Sequence, residues 1–525
     1  MFKKSFGNVL KRKETTKLPY VTSLDFHALK KKDKVIEGIP VVCTSCGGIL
    51  TKASLIETTK LGRSWNCEFC GTLNIIAADV TLPDDIGDDI EWIIEKKPED
   101  EITIETKIGA GTKEYIIAVI DVSGSMDDGK LEAVKHSLIQ SLKDLKMNAP
   151  YSRFTLIAFS TEVFLFNANG ERVLELEGDV LHSVGGIEKA FNKTKLDFAP
   201  ISDTAEKWIN TVSQLRPLNY TSLGPALLGG ITLLGRVDGG GRLILLTDGL
   251  ANEGLGNLES SATGKKFYQE CAAKCMEKSV TVEVIGVAPE DDSSRLALDV
   301  LGRLADSTGG EIFYITSSEV QKAFEELRKR EYLGRDVTVR VITDENFKLK
   351  NITGIGAATM PAPKEAIKMG AVTEDREVFF ELESAEDVKK EEVPIQAQIA
   401  YIDSEGNKRL RVVTTRSVVV EDEVEFNKAY DARVVTTNVV QAAGESYYEG
   451  KAEEAKERLK ELKDTLSSFA KQDGIKFQEE ALNVLDNQTA EIDEEEAEIA
   501  DKAAAPSARA AKALKRKRTS EEDLF

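Results

Sequence analysis

One short segment limits the possible folds of this chain more than any other. Asp121-Val122-Ser123-Gly124-Ser125 directly follows an apolar run at residues 115–120, and such a run is typical of a buried strand. A second apolar run, at residues 243–247, is followed by Asp248. Because ligands bind beyond the carboxyl ends of the strands in an open parallel sheet, we expect these polar segments to lie together. The pattern predicts an α/β domain with a binding site at that edge.

The side chains at this edge predict a metal site. Asp121, Ser123 and Ser125 alternate along the first loop, Thr221 lies in a later polar segment, and Asp248 follows the second strand. All five side chains offer oxygen, and none offers sulfur or imidazole, which suits Mg²⁺ or Mn²⁺. The alternative is that the first loop forms a turn without binding a metal.

These motifs, in this order, carry a resemblance to a known family. Asp121/Ser123/Ser125, then Thr221, then Thr247-Asp248-Gly249 resemble the metal-ion-dependent adhesion site of von Willebrand factor A domains, over residues 112–331. The resemblance implies a doubly wound, Rossmann-like fold. It also implies that Ser123, Ser125 and Thr221 touch the metal, while Asp121 and Asp248 act through water. An acidic residue of a protein partner would then complete the coordination of the ion.

Four cysteines predict a second metal site. Cys43-x-x-Cys46 and Cys67-x-x-Cys70 are separated by 20 residues, and a glycine follows each pair. This spacing is close to that of Cys₄ zinc sites, and glycine permits the left-handed turn of a zinc knuckle. We expect a closed structural Zn²⁺ site, because no fifth donor is nearby. Disulfides or free thiols are the alternatives, and we see no apolar N-terminal signal segment that would favour an oxidising compartment.

The other residues with potential chemistry predict no catalytic site. Cys271 and Cys275 lie four residues apart on a predicted helix and are expected to be buried as small hydrophobic side chains. His27, His136 and His182 show no Ser, Cys or Asp arrangement of a nucleophilic enzyme. We therefore expect a protein that is not an enzyme.

Composition narrows the class of protein further. The 525 residues are 41% hydrophobic and 30% charged, with a net charge of −21. This charge opposes non-specific attraction to nucleic acid or to an anionic membrane, and no apolar stretch is long enough to span a bilayer. We expect a cytoplasmic protein with at most peripheral membrane contact. The basic run at residues 515–518 resembles a nuclear import signal, although a solvated tail is the preferred interpretation.

Changes of pattern along the chain predict a multidomain α/β and β protein. The predicted segments are an N-terminal extension (1–39), the Cys₄ zinc module (40–78), a β segment that joins the sandwich (79–111), the A-type domain (112–331), an antiparallel β-sandwich (332–422), a C-terminal helical hairpin (423–487) and a disordered charged tail (488–525). Strands before residue 112 would complete the sandwich, which makes the A-type domain an insertion. Residues 153–167 predict one antiparallel edge strand in that domain, and the hairpin is expected to break near Gly444 and Gly450.

The domain order carries a second resemblance. A Cys₄ module containing Trp65-x-Cys67-x-x-Cys70-Gly71-x-x-Asn74, followed by an A-type domain, a sandwich and helices, is similar to the inner-coat subunits of COPII vesicles. The resemblance implies a trunk that binds a second coat subunit and a small GTPase, with a concave face on the membrane. In that family the trunk usually lacks an intact adhesion site and the chain ends in a gelsolin-like domain. Here the adhesion motif is complete, and no gelsolin-like domain is expected.

Three hypotheses about function follow. The first is a non-enzymatic scaffold that binds an acidic residue of a protein partner through Mg²⁺. The second is a COPII-like coat or trafficking component that uses the trunk surface with or without metal. The third is an adaptor for an ATPase or another enzyme complex. The ATPase would be a separate chain, because this one has no Gly-x-x-x-x-Gly-Lys-Ser/Thr loop.

Overall fold

A computed structural model describes most of the chain. The described residues are 2–6, 9–11, 19–30, 35–59, 62–80, 82, 87–96, 114–127, 129–195, 198–237, 240–248, 251–258, 262–288, 298–353, 360–361, 366–374, 376–384, 388–448, 451–469 and 478–502. The basic residues Arg12 and Lys13, a β-like run at 102–108 and the basic run at 515–518 lie outside them.

Short strands precede the α/β domain. They are β1 (Phe2–Lys4), β2 (Val9–Lys11), β3 (Tyr20–Asp25), β4 (Val35–Glu37), β5 (Ile56–Thr59), β6 (Gly62–Asn66), β7 (Leu73–Ile76) and β8 (Asp89–Glu95). Strands β5, β6 and β7 form a small antiparallel sheet that belongs to the cysteine-rich module.

The α/β domain alternates strands and helices. Its strands are β9 (Tyr115–Asp121), β10 (Arg153–Phe159), β11 (Val163–Phe166), β12 (Arg172–Leu176), β13 (Gly241–Thr247), β14 (Val280–Ala288) and β15 (Ile312–Thr316). Its helices are α1 (Lys130–Asn148), α2 (Val184–Lys193), α3 (Ile201–Ser213), α4 (Leu223–Leu234), α5 (Ala262–Glu277), α6 (Leu298–Ser307) and α7 (Val320–Lys329).

The order of the strands explains where the site lies. It is β12-β11-β10-β9-β13-β14-β15, and β10, β9, β13, β14 and β15 are parallel. Because β9 is paired directly with β13, Asp121 and Asp248 come to the same edge of the sheet. The antiparallel strand predicted in residues 153–167 is present as β11, which runs antiparallel to β10, but its predicted position at the edge of the sheet is wrong. The edge strand is β12, which is antiparallel to β11, since a turn at residues 167–171 returns the chain along β11.

Helices cover both faces of this sheet, which is why the middles of its central strands are apolar runs without alternation. Along β9, Ile117 and Val119 belong to one hydrophobic core, while Ile116, Ala118 and Ile120 belong to the core on the other face. Period-two alternation of a strand therefore fills two separate cores.

Two further sheets form the β-sandwich. Its later strands are β16 (Tyr332–Thr343), β17 (Phe347–Thr353), β18 (Met360–Pro361), β19 (Ile367–Thr373), β20 (Glu377–Ser384), β21 (Glu392–Ile402) and β22 (Lys408–Val420). The sheets have the orders β1-β3-β20-β17-β18 and β19-β16-β21-β22-β8-β4, with β2 beside β22. Strands from before residue 112 thus pair with strands from after residue 331, and one core joins the two sheets.

The C-terminal part is helical and differs from the predicted two-helix hairpin. Its helices are α8 (Glu423–Ala429), α9 (Ala432–Tyr448), α10 (Ala452–Phe469) and α11 (Gln478–Lys502). The predicted break at Gly444 does not occur. Buried neighbours such as Ala443 and Tyr447 hold α9 together against the roughly 1 kcal/mol cost of a helical glycine.

The predicted disordered tail also begins too early. Helix α11 continues past residue 488 to Lys502, because Ala481, Leu485 and Ile492 form an apolar stripe that is buried against the other helices. Residues 503–525 are outside the described part of the chain. Among the helices that the structure describes, none combines the length and apolar character needed to cross a membrane.

Candidate metal centres and the trunk-like domain

The first candidate site begins with a buried carboxylate. Asp121 is the last residue of β9, is completely buried, and accepts two hydrogen bonds. Its Oδ1 accepts from the backbone N–H of Ser123 (2.8 Å), and its Oδ2 accepts from the hydroxyl of Thr247 (2.6 Å). Thr247 ends β13, so the pairing of two adjacent strands places this carboxylate.

The two serines and the second aspartate form a connected chain. The Oγ atoms of Ser123 and Ser125 are 3.0 Å apart, and the hydroxyl of Ser125 donates to Oδ1 of Asp248 at 2.7 Å. Gly124 lets the loop pass close to its neighbour, because a Cβ there would lie 3.0 Å from the carbonyl oxygen of Leu218. The structure therefore brings Asp121, Ser123, Ser125 and Asp248 into one hydrogen-bonded group, as the strand pattern predicts.

Thr221 lies on the adjoining loop between α3 and α4. The side chain of Asn252 accepts from its backbone N–H (2.9 Å), and the N–H of Leu218 on the same loop donates to the carbonyl of Val122 (2.6 Å). Thr221 is buried, and its hydroxyl makes no hydrogen bond to any residue that the structure describes. The loop is thus fixed beside the site, but among the described residues no hydrogen bond joins the Thr221 hydroxyl to the other four.

Burial controls the charge of this group. It raises the pKa of Asp121 to about 6, hydrogen bonds from Ser123 and Thr247 partly oppose that rise, and the nearby charge of Asp248 adds to it. A bound cation would favour the ionised form. The donors are all hard oxygens, so their chemistry fits a small divalent cation.

The second candidate site contains the four cysteines of the zinc module. The Sγ atoms of Cys43 and Cys70 are 3.6 Å apart, those of Cys46 and Cys67 are 3.5 Å apart, and all four lie within 4.8 Å of one another. A tetrahedral zinc with bonds of about 2.3 Å requires sulfurs about 3.8 Å apart. In the described part of the chain, this is the one cluster of three or more His, Cys, Asp or Glu side chains close enough to hold a metal.

Both cysteine pairs form a zinc-knuckle turn. Gly47 and Gly71 have φ values of 77° and 70°, and their N–H groups donate to the carbonyls of Cys43 (3.0 Å) and Cys67 (2.8 Å). This is the left-handed conformation that glycine adopts without steric cost. Gly47 and Gly71 thus have the left-handed conformation predicted from the sequence, and this conformation brings the thiols of each pair together.

The thiols are in different environments. Burial would raise the pKa of Cys43, but donors from Cys46, Ser45 and the side chain of Asn74 lower it to about 6. Burial raises the pKa of Cys46 to about 11. Asn74 also accepts from the N–H of Thr44 at 2.9 Å, so it orients the first knuckle.

Two buried glutamines and a half-buried arginine fasten this module to the sandwich, and the sequence interpretation missed them. Gln396 and Gln398 on β21 bond the backbone of Ile49 and Gly47, and Arg340 on β16 donates to the carbonyl of Cys46 at 3.0 Å. The available signal was two glutamines, two residues apart, in a strand whose other residues after Glu392 carry no charge and are mostly apolar.

The remaining cysteines fit the predicted packing role. Cys271 and Cys275 are buried on α5 in the core of the α/β domain. Burial raises the pKa of Cys271 to about 12 and also raises the pKa of Cys275. These thiols are therefore poor nucleophiles and poor metal ligands at neutral pH.

The chain is similar to known proteins over most of its length. Residues 114–331 match the family model of the Sec23/Sec24 trunk domain. Circularly permutated Ras protein 1 of Dictyostelium discoideum is 24% identical over 77% of this chain and 51% of that protein. Protein transport protein SEC24 of Eremothecium gossypii is 21% identical over 83% of this chain and 52% of that protein. The chain spans about half the length of the curated relatives it matches.

A solved structure extends the likeness beyond the trunk. The crystal structure of the human COPII-coat protein Sec24c has a TM-score of 0.66 and 14% sequence identity, and the match covers 93% of this chain and 68% of that one. At this identity the match shows the fold alone. Residues 114–331 therefore match a Sec23/Sec24-type trunk domain, the chain has Sec24 relatives, and the predicted likeness to COPII inner-coat subunits is confirmed at that level.

Proposed function

We propose that this protein is a non-enzymatic scaffold of a COPII-like coat or a related trafficking assembly. The observation that carries the proposal is the extent of the likeness: it covers the zinc module, trunk, sandwich and helices, and not the trunk alone. A domain used only for metal-dependent adhesion would not require the other three parts. The comparisons therefore favour the trafficking hypothesis over the first hypothesis from the sequence, a scaffold that binds its partner through Mg²⁺.

The partners and location follow from this proposal. The trunk would bind a second coat-like subunit and a small GTPase, and the protein would be cytoplasmic and peripheral on membranes. A structural Zn²⁺ held by Cys43, Cys46, Cys67 and Cys70 would cross-link the module, and the sulfur spacing supports this role. The hypothesis of an ATPase adaptor stays a prediction.

Reconstitution tests the proposal. The purified protein is mixed with liposomes, a small GTPase of the COPII type and a second coat subunit, with either GTP analogue or GDP bound. We expect co-flotation with liposomes only in the GTP state and only with the second subunit present. Absence of flotation and of any complex in solution would contradict a coat role.

The second candidate function is binding of an acidic partner residue through Mg²⁺ or Mn²⁺ at the trunk. It is favoured by the connected oxygen donors of Ser123, Ser125 and Asp248 beside Asp121. Titration of Mg²⁺ into wild-type protein should release heat, and Asp121→Ala should abolish the signal. The exposed Asp179 provides a control, because Asp179→Ala should bind as the wild type does. Equal heat from all three proteins would reject the assignment.

A further inference from the structure

A lysine occupies the metal-binding edge of the trunk. Lys130 is the first residue of α1, and its ammonium donates to Oδ2 of Asp248 at 2.5 Å and to the carbonyl oxygen of Ser125 at 2.8 Å. Oδ1 of the same carboxylate already accepts from the hydroxyl of Ser125. Both oxygens of Asp248 are therefore engaged, one of them by a cation of the chain itself.

The burial of this pair shows why the contact matters. The side chain of Asp248 is 1% exposed and that of Lys130 is 15% exposed. A buried carboxylate without a counter-charge is costly, and Lys130 supplies that charge. The first turn of a helix is otherwise an unfavourable place for a cation, since the helix dipole is positive there. The position of Lys130 is explained by Asp248 and not by the helix.

The same ammonium opposes a divalent cation. An ion held by the oxygens of Ser123, Ser125 and Asp248 would share Asp248 with Lys130, and like charges repel strongly in a site with little water. The lysine side chain is long, flexible and partly exposed, so it can leave the carboxylate for solvent. The ammonium of Lys130 and a divalent cation from solution would thus compete for the carboxylate of Asp248.

We propose that Lys130 is an internal cation that competes with Mg²⁺ for Asp248. It holds the site in order without metal, and it weakens the metal affinity, because binding requires its displacement. This inference rests on the second candidate function, that the site binds Mg²⁺. It also gives a physical reason why a trunk with a complete adhesion motif would work without metal.

The test uses the full chain with Lys130→Met, Lys130→Arg and a control on the same helix, Lys146→Met. Lys146 lies at the other end of α1 and pairs with Glu206 on the surface. Mg²⁺ affinity is measured by calorimetry, and the thermal midpoint is measured in EDTA and in Mg²⁺. We expect Lys130→Met to bind Mg²⁺ about 10-fold or more tightly than wild type, the scale on which neighbours of metal ligands act. Its midpoint should fall in EDTA and recover in Mg²⁺.

The outcomes separate this inference from the metal site itself. Equal Mg²⁺ affinity of wild type and Lys130→Met would overturn the competition but leave the metal site standing. Binding by Lys130→Met alone would support the competition and show that the wild-type site does not use Mg²⁺. Binding by neither protein would overturn both. Lys130→Arg keeps the positive charge, so it must keep weak Mg²⁺ binding and a wild-type midpoint in EDTA; Mg²⁺ binding as tight as that of Lys130→Met would overturn the competition.

Discussion

Replacing Gln396 by methionine should loosen the zinc module from the β-sandwich. Gln396 is completely buried on β21. Its amide nitrogen donates to the carbonyl of Ile49 (2.9 Å) and to the hydroxyl of Thr414 (3.0 Å). Its amide oxygen accepts from the N–H of Ile49 (2.8 Å) and from Gln398 (2.8 Å). One side chain thus satisfies both backbone groups of a buried residue in the other module.

The magnitude follows from these contacts. Methionine has nearly the same length and volume, so the substitution removes hydrogen bonds without leaving a large cavity. The N–H and C=O of Ile49, which is 4% exposed, then stay buried without partners. Each unsatisfied group costs about 1–3 kcal/mol, so the two groups should lower the free energy of opening the module by about 2–6 kcal/mol.

Hydrogen exchange measures this opening directly. Amides of residues 41–50 should exchange at least about 30-fold faster, since each 1.4 kcal/mol is about tenfold. Amides of β9 and β13 in the trunk should be unchanged. Gln321→Met is the matched control, because Gln321 is exposed on α7 and makes one bond, to Glu325, so its effect should stay within about 0.5 kcal/mol. Equal exchange in the two variants would refute the idea that Gln396 fastens the module.

Three further predictions concern the metal, a knuckle glycine and a buried ion cluster. Each wild-type chain should release one zinc to a strong chelator, and Cys67→Ser should contain none when assayed by atomic absorption; zinc retained in that variant would exclude the tetrathiolate site. Gly47→Ala should lower the urea midpoint and zinc retention, because Gly47 has a φ of 77° and a Cβ there would lie 2.4 Å from the guanidinium of Arg340. Gly185→Ala is the control: a Cβ at Gly185 on α2 would meet open space, so that substitution should be neutral or stabilising. Glu283 is buried between strands of the trunk and sandwich, and although burial raises its pKa, Arg330 and Arg242 hold it below the usual range. The stability that ionised Glu283 contributes to the fold is therefore present at neutral pH and is lost as the pH falls below about 4.3. Glu283→Gln should lower the free energy of unfolding by about 3–5 kcal/mol at pH 7, and its stability to urea should fall less steeply at acid pH than that of the wild type. An unchanged acid dependence would contradict the ion-pair role of Glu283.

The sequence specified the local features well, because they depend on short-range chemistry. Continuous apolar runs followed by aspartate predicted β9 and β13 together with the edge where Asp121 and Asp248 meet. The spacing of the cysteines and their glycines predicted a cluster of four thiols. Strand β12 was missed because its residues are half exposed and its pairing depends on a turn rather than on its own pattern.

The long-range contacts could not be predicted from such patterns. Lys130 and Asp248 are 118 positions apart in the sequence. Only the pairing of β9 with β13 brings the start of α1 to that carboxylate. The contact of Gln396 with Ile49 spans 347 residues. By itself the sequence determined the strands, the donor chemistry and the cysteine cluster, because each arises from neighbours in the chain. The tertiary structure decided which charge balances Asp248 and which side chains hold the zinc module in place. Burying a polar group without a partner is costly, and the partners that satisfy these groups are distant in the sequence and become neighbours only in the folded chain.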